Sequence, residues 1–152
     1  LNSITYIKFD KAHFGEWRKM SLELFPGYAM DDLERDLFQV IASDNQETFF
    51  AKGKEGIIGF INISIRHDYV EGSNSSPVGY LEAIFIKPEY RKHGVARKLV
   101  ALGERWVLEK GCTQMGSDTW ASNGHARKFH LGLGFKEEDT LVHYIKDLKR
   151  KA

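Results

Sequence analysis

The run Val78-Gly79-Tyr80-Leu81-Glu82-Ala83-Ile84-Phe85-Ile86, followed by Lys87-Pro88-Glu89-Tyr90-Arg91-Lys92-His93-Gly94-Val95-Ala96, decides the fold. Its first nine residues are mostly apolar and end at Lys87-Pro88, which predicts a buried strand from Val78 to Ile86. Val95, Leu99, Leu102, Trp106 and Val107 then recur at helical spacing and predict a helix from Val95 to about Lys110, stopped by Gly111. Between them lies a strand-to-helix turn in which Gly94 permits tight backbone packing and Ala96 keeps the first helical turn small. The free N–H groups of such a helix start form an anion cradle, to which Arg91, Lys92, Arg97 and Lys98 add positive charge. Read alone, the same turn is also an ordinary strand-to-helix connection. It is neither a Rossmann fingerprint nor a Walker loop, since GxGxxG and GxxxxGK[ST] are absent.

Working outward, Thr5–Phe9 reads as an edge strand and Ala12–Leu24 as a helix with Phe14, Trp17, Met20 or Ser21, and Leu24 on one side. Pro26-Gly27 breaks it. A second helix places Met30, Leu33, Leu37, Val40 and Ile41 on a stripe, with Asp31 and Asp32 in its first turn, where carboxylates favour the dipole. Glu47–Ala51 and Gly56–Ile65 read as adjacent strands, and His67–Pro77 as a polar loop. A short strand near Gln114–Asp118, a helix from about Asn123 to Leu131 and a strand near Leu141–Ile145 complete the chain. The expected architecture is one α/β domain over residues 1–152, with a mixed sheet and helices on both faces.

The 152 residues suffice for one domain with a real core. Lys plus Arg number 22 against 21 Asp plus Glu, so the near-balanced charge argues against a dedicated nucleic-acid binder. The distribution is uneven. Residues 23–47 hold seven acids against Arg35 alone, and residues 87–98 hold five bases against Glu89 alone. Such runs are either solvated helix surface or an acidic site for a cation and a basic site for an anion. Cys112 is the only cysteine, which rules out an internal disulfide framework and Cys-clustered metal sites. The histidines show no zinc spacing. No apolar run approaches bilayer-spanning length, and the opening LNSITYIKFD does not read as a secretory signal. A reduced, cytoplasmic setting without membrane attachment is expected.

The Arg-x-x-Gly-x-Ala turn after Tyr80–Tyr90 resembles motif A of the Gcn5-related N-acetyltransferases (GNAT). Asn123, followed by Ala126-Arg127-Lys128-Phe129-His130-Leu131-Gly132-Leu133-Gly134-Phe135, resembles the second half of that signature. Element order is similar over nearly the whole chain. The resemblance implies the single-domain GNAT fold, with a central, mostly antiparallel mixed sheet, and acetyl-CoA as cosubstrate without a metal. A narrower resemblance rests on Arg66-His67-Asp68-Tyr69-Val70-Glu71-Gly72, on Ser76-Pro77-Val78-Gly79-Tyr80-Leu81-Glu82, and on Ser117-Asp118 before Asn123. These runs are similar to the aminoglycoside 6'-N-acetyltransferases. That group implies acetyl transfer to the 6'-amine of an antibiotic, resistance as the outcome, and a homodimer.

Acetyl transfer to an amine requires a deprotonated nucleophile, a polarised thioester carbonyl and a proton for the departing thiolate. Holding both substrates side by side supplies much of the rate. Glu82 stands out because a carboxylate is unexpected inside an apolar strand. It either anchors the ammonium and relays its proton or is satisfied within the sheet. Asp118 ends the next strand and either holds or deprotonates the amine or caps the following helix. Which of the two acts as base stays open.

The resemblance further implies Asp139 as a substrate-binding acid, with Glu137 and Glu138 as neighbours able to replace it. Tyr69, Phe25 and Tyr28 match positions lining the aminoglycoside cleft, although Phe25 stands where tryptophan is usual and packing in the core is its alternative. Asp32 and Glu71 add negative field for a polycation. Backbone groups of Ile84, Phe85 and Ile86 are expected to pair with the pantetheine arm, and Asn123 to bond near it. The turn Arg91-Lys92-His93-Gly94-Val95-Ala96-Arg97 is expected to take the pyrophosphate. His130 occupies the place of a tyrosine that serves as general acid in many family members, and is either that acid or a structural residue. Other acceptors, such as a polyamine or a protein N-terminus, fit the same acidic residues. A silent acyl-CoA-binding module is the remaining alternative, against which Glu82 and Asp118 both argue.

Overall fold

A computed structural model describes residues 3–151. Five strands form one sheet in the order β1-β2-β3-β4-β5, comprising β1 (Thr5–Lys8), β2 (Gln46–Gly53), β3 (Gly56–Arg66), β4 (Val78–Ile86) and β5 (Met115–Gly116). The first four pair antiparallel, while β5 pairs parallel with β4. The mixed, mostly antiparallel sheet expected from the sequence is the one observed, and β4 has the expected bounds. Helices α1 (Phe14–Leu24), α2 (Met30–Ala42), α3 (Val95–Glu109) and α4 (Gly124–Gly132) complete the regular structure.

Helix α1 begins later than its apolar spacing predicts. Lys11–His13 form a 3-10 turn instead, in which Asp10 accepts the Ala12 N–H at 2.9 Å. Glu16 then reaches from α1 to the β2–β3 turn, accepting the Ile57 N–H at 2.7 Å and meeting His13 Nδ1 at 2.8 Å. Burial opposes its ionisation, but these bonds and the charges of His13 and Lys87 outweigh it and lower its pKa. A Cβ on Gly56 would sit 2.3 Å from its carboxylate oxygen.

Alternation along the strands sends Phe50, Phe60 and Phe85 to one face, where they pack with Trp17, Met20, Leu33 and Leu37 of α1 and α2. The stripe on α2 is narrower than expected. Leu33 and Leu37 are buried, whereas Met30 and Ile41 are exposed. On the other face α3 lies close to the sheet. Added Cβ atoms would come within 2.5 Å of Val107 at Gly79 and within 2.7 Å of Ile63 at Gly103. Leu99, Val100, Trp106 and Val107 are buried on this helix.

Residues 3–118 and 119–151 form separate compact units. The second contains α4 and a C-terminal run without regular secondary structure. The strand expected near Leu141–Ile145 is therefore not formed. Its β-prone residues suit a strand, but a strand needs a ladder partner, and Leu141, Val142, Tyr144 and Ile145 are all exposed.

Candidate active site

One β4 residue has no opposite number in β3. Ile63 faces Leu81 and Asn62 faces Ala83, so Glu82 is the extra residue of a bulge. The bulge reverses alternation: Tyr80 and Glu82 lie on one face before it, and Ala83 and Phe85 continue that face after it. A carboxylate is thereby turned toward the side where β3 places Asn62, Ser64 and Arg66 at every second position.

Glu82 is held by three donors. Ser64 Oγ donates to Oε2 at 2.5 Å, Arg66 Nε donates to Oε2 at 2.8 Å, and Arg66 Nη2 donates to Oε1 at 2.7 Å. The arginine fork matches the carboxylate in the strong bidentate geometry. Its guanidinium carbon also lies 3.5 Å from the centroid of the Tyr80 ring. The Glu82 hydrogen bond, opposed by burial, raises the pKa of Arg66. Glu82 is thus satisfied within the sheet, on a part-buried polar face.

Tyr80 is 7% exposed, and its hydroxyl donates to Asp118 Oδ2. Burial first, then this bond and the charge of Asp118, push the phenol well above its ordinary pKa. The capping alternative for Asp118 is not what forms. Asn123 caps α4 instead, its Oδ1 accepting the Ala126 N–H at 3.0 Å. Arg66, Glu82, Ser64, Tyr80 and Asp118 form one network within the first unit, carrying two formal negative charges and one positive charge. Sequence reading assigned no role to Ser64, Arg66 or Tyr80. The available signal was the period-two polar series Asn62, Ser64, Arg66 in an otherwise apolar strand.

Among the described residues, β5 pairs with β4 only at Gly79 and Tyr80, so the outer edge from Leu81 to Ile86 carries no strand. Ile84, Phe85 and Ile86 lie on that stretch. Gly94 adopts φ +82° at the start of α3, a left-handed conformation that favours glycine, and no side chain caps this fifteen-residue helix. Val95 and Ala96 form its first turn. Arg91 turns back onto the strand, with Nε donating to the Ile86 carbonyl at 2.7 Å and the guanidinium 5.4 Å from the Phe85 ring. Lys92 also takes a positive φ of 64° in the turn beside His93. Arg97 follows within α3.

Other expected site residues are distributed between the units. Phe25 and Tyr28 are exposed and meet edge to face, with centroids 6.4 Å apart, so core packing is not the role of Phe25. Tyr69 is 73% exposed in the loop before β4. Asp32 pairs with Arg35 at 2.5 Å and Glu34 with Arg18 at 2.7 Å, so α2 offers less uncompensated charge than its acid count implies. In the second unit, Glu137 is engaged by Arg127 through two 2.8 Å bonds, while Asp139 is exposed and accepts the Thr140 N–H. His130 Nδ1 lies 2.7 Å from the Ala126 carbonyl. Because a carbonyl only accepts, that nitrogen carries the proton.

Among the described residues, no group of three His, Cys, Asp or Glu side chains could hold a metal ion. Nor is any helix of those residues long and apolar enough to cross a membrane.

Residues 14–135 match the acetyltransferase (GNAT) family. The chain is 40% identical over 139 residues to an aminoglycoside N(6')-acetyltransferase type 1 of Salmonella enteritidis, covering 91% of this chain and 96% of that one. Its counterpart from Serratia marcescens is 32% identical over 140 residues, with the same coverages. Among solved structures, aminoglycoside N-acetyltransferase AAC(6')-Iy in complex with CoA superposes with a TM-score of 0.90 at 38% identity, covering 96% of each chain. The same protein with the bisubstrate analogue CoA-S-monomethyl-acetylneamine also gives 0.90 at 38% identity, covering 97% of this chain and 100% of that one.

Proposed function

The chain belongs to the acetyltransferase (GNAT) family, and on that premise we propose that it is an aminoglycoside 6'-N-acetyltransferase using acetyl-CoA. The observation that carries this reading is the bulge that presents Glu82 beside Arg66, Tyr80 and Asp118. Relatives named for the same regiochemistry and similar over nine-tenths of the chain support it.

In this proposal both substrates bind before transfer. The start of α3, with Gly94, Val95 and Ala96, receives the anionic part of acetyl-CoA, and Lys92, His93 and Arg97 add donors. The strand-free edge at Ile84, Phe85 and Ile86 receives the pantetheine amides, with Arg91 holding the Ile86 carbonyl. Asn123 bonds near that arm. Phe25, Tyr28 and Tyr69 stack against the acceptor, and Asp139 adds a carboxylate for its amines.

Glu82 and Asp118 attract the 6'-ammonium and receive its proton, directly or through water. The neutral amine then attacks the thioester carbonyl carbon. The C–N bond forms, the nitrogen gives up a further proton to solvent or to a carboxylate, the C–S bond breaks, and the thiolate leaves with a proton. His130 can serve as that donor through Nε2 when both ring nitrogens are protonated. Aminoglycoside acetylation confers resistance in this reading.

The enzyme acts as a single-domain, cytoplasmic homodimer in this proposal. Exposed Leu141, Val142, Tyr144, Ile145 and Leu148 in the second unit supply an apolar surface for a second copy. The decisive test is acetyl-CoA consumption with kanamycin, tobramycin and a polyamine, with product regiochemistry assigned. Acetylation at the 6'-amine is expected; binding of acetyl-CoA without turnover of either antibiotic overturns the proposal.

A further inference from the structure

We propose that Tyr80 is a positioning residue that sets the carboxylates of Glu82 and Asp118 as a single unit. This rests on reading the site as one that receives an amine. Tyr80 has strand partners on both sides, with Ser64 opposite it in β3 and Gly116 beside it in β5. The next β4 residues lose the β5 partner, and Glu82 then leaves the β3 ladder. Tyr80 is thus the last residue fixed from both sides before the strand is released for chemistry.

Its ring is equally confined. It clusters with Val70 and Val78, and a Cβ on Gly116 would lie 3.1 Å from its Cε2. One ring face carries Arg66, whose fork holds Glu82. The hydroxyl meets Asp118, two residues beyond the end of β5, where ladder bonds no longer orient the chain. Phenylalanine would provide most of the same packing. What the hydroxyl adds is a donor at a buried position, directed at a carboxylate.

The hydroxyl is isolated by Tyr80→Phe, which keeps the ring beneath Arg66. We expect kcat/KM for an accepted aminoglycoside to fall about tenfold, the scale of one lost charge-assisted bond, with the KM for acetyl-CoA unchanged. In an Asp118→Asn background, Tyr80→Phe should cause no further loss. Wild-type kcat/KM in Tyr80→Phe, or a second full loss in the Asp118→Asn background, overturns the inference.

A readout independent of turnover is the NMR signal of 13Cζ-labelled tyrosine between about pH 6 and pH 11. The Tyr80 resonance, identified by its absence in Tyr80→Phe, should stay in the phenol position and move when Asp118→Asn is introduced. An unmoved resonance overturns the inference. If the wild type acetylates no aminoglycoside, the proposed function fails while this spectroscopic result still judges Tyr80.

Discussion

Two arginine–glutamate pairs in this chain share the same fork geometry and differ in what surrounds them. Arg66 and Glu82 join neighbouring strands, and the pair also engages Ser64 and the Tyr80 ring. Arg127 and Glu137 join α4 to the segment after it, with side chains 45% and 47% exposed. Their mutual hydrogen bonds lower the pKa of Glu137 and raise that of Arg127. Water and salt screen that exposed pair and reach Arg66 too, whose side chain is 41% exposed. Glu82 is only 26% exposed, however, and the sheet pair is held by further partners. The comparison teaches that an ion pair gains a role from the groups fixing it, more than from its own bond lengths.

The sharpest way to break the comparison is Glu82→Gln. It keeps the shape and the Ser64 contact while removing the charge that faces Arg66. On the proposed mechanism, steady-state acetylation should fall about 100-fold or more; turnover near wild type would reduce Glu82 to a structural residue. Arg66→Lys comes next. Lysine retains the charge but loses the fork and the planar stack on Tyr80, so about a tenfold loss in kcat/KM is expected. Equal activity in this variant would show that charge alone suffices.

Alkali gives a smaller, graded contrast. The folded state holds the Tyr80 proton more tightly than the unfolded chain. This contribution is therefore fully present below tyrosine's ordinary pKa of about 10 and is lost as pH rises beyond it. Thermal melts should show a shallower decline above about pH 10 in Tyr80→Phe than in wild type; parallel curves would contradict the assignment. The smallest effect belongs to Glu137→Gln, for which melting at high salt should coincide with that of wild type.

The frame was legible because its signals are local. Proline after Ile86, glycine at Gly94 and helical spacing from Val95 onward bound their elements without reference to any distant residue. Glu82 was visible as a carboxylate among apolar neighbours, but its bulge was not, because a bulge exists only against the register of β3. For the same reason Arg66 and Tyr80 carried no assigned role. Their partners are set by strand pairing, not by spacing along the chain. Asp118 and Asn123 were both recognisable as polar residues before α4, and only backbone geometry decides which caps it. The Leu141–Ile145 pattern failed in the opposite way. It reflects residues that favour strands, while a strand also requires a neighbouring backbone.

The bulge at Glu82 has a consequence for how this scaffold can change. Leu81 and Ala83 already face adjacent residues of β3, so a chain shortened by Glu82 would close into a regular ladder with its apolar faces in phase. One carboxylate of the proposed site is therefore an insertion that the architecture can lose without losing itself. Deletion would be expected to leave a folded protein with an idle site, and gain of one residue at the same point is a short route by which an inert strand of this kind could acquire one.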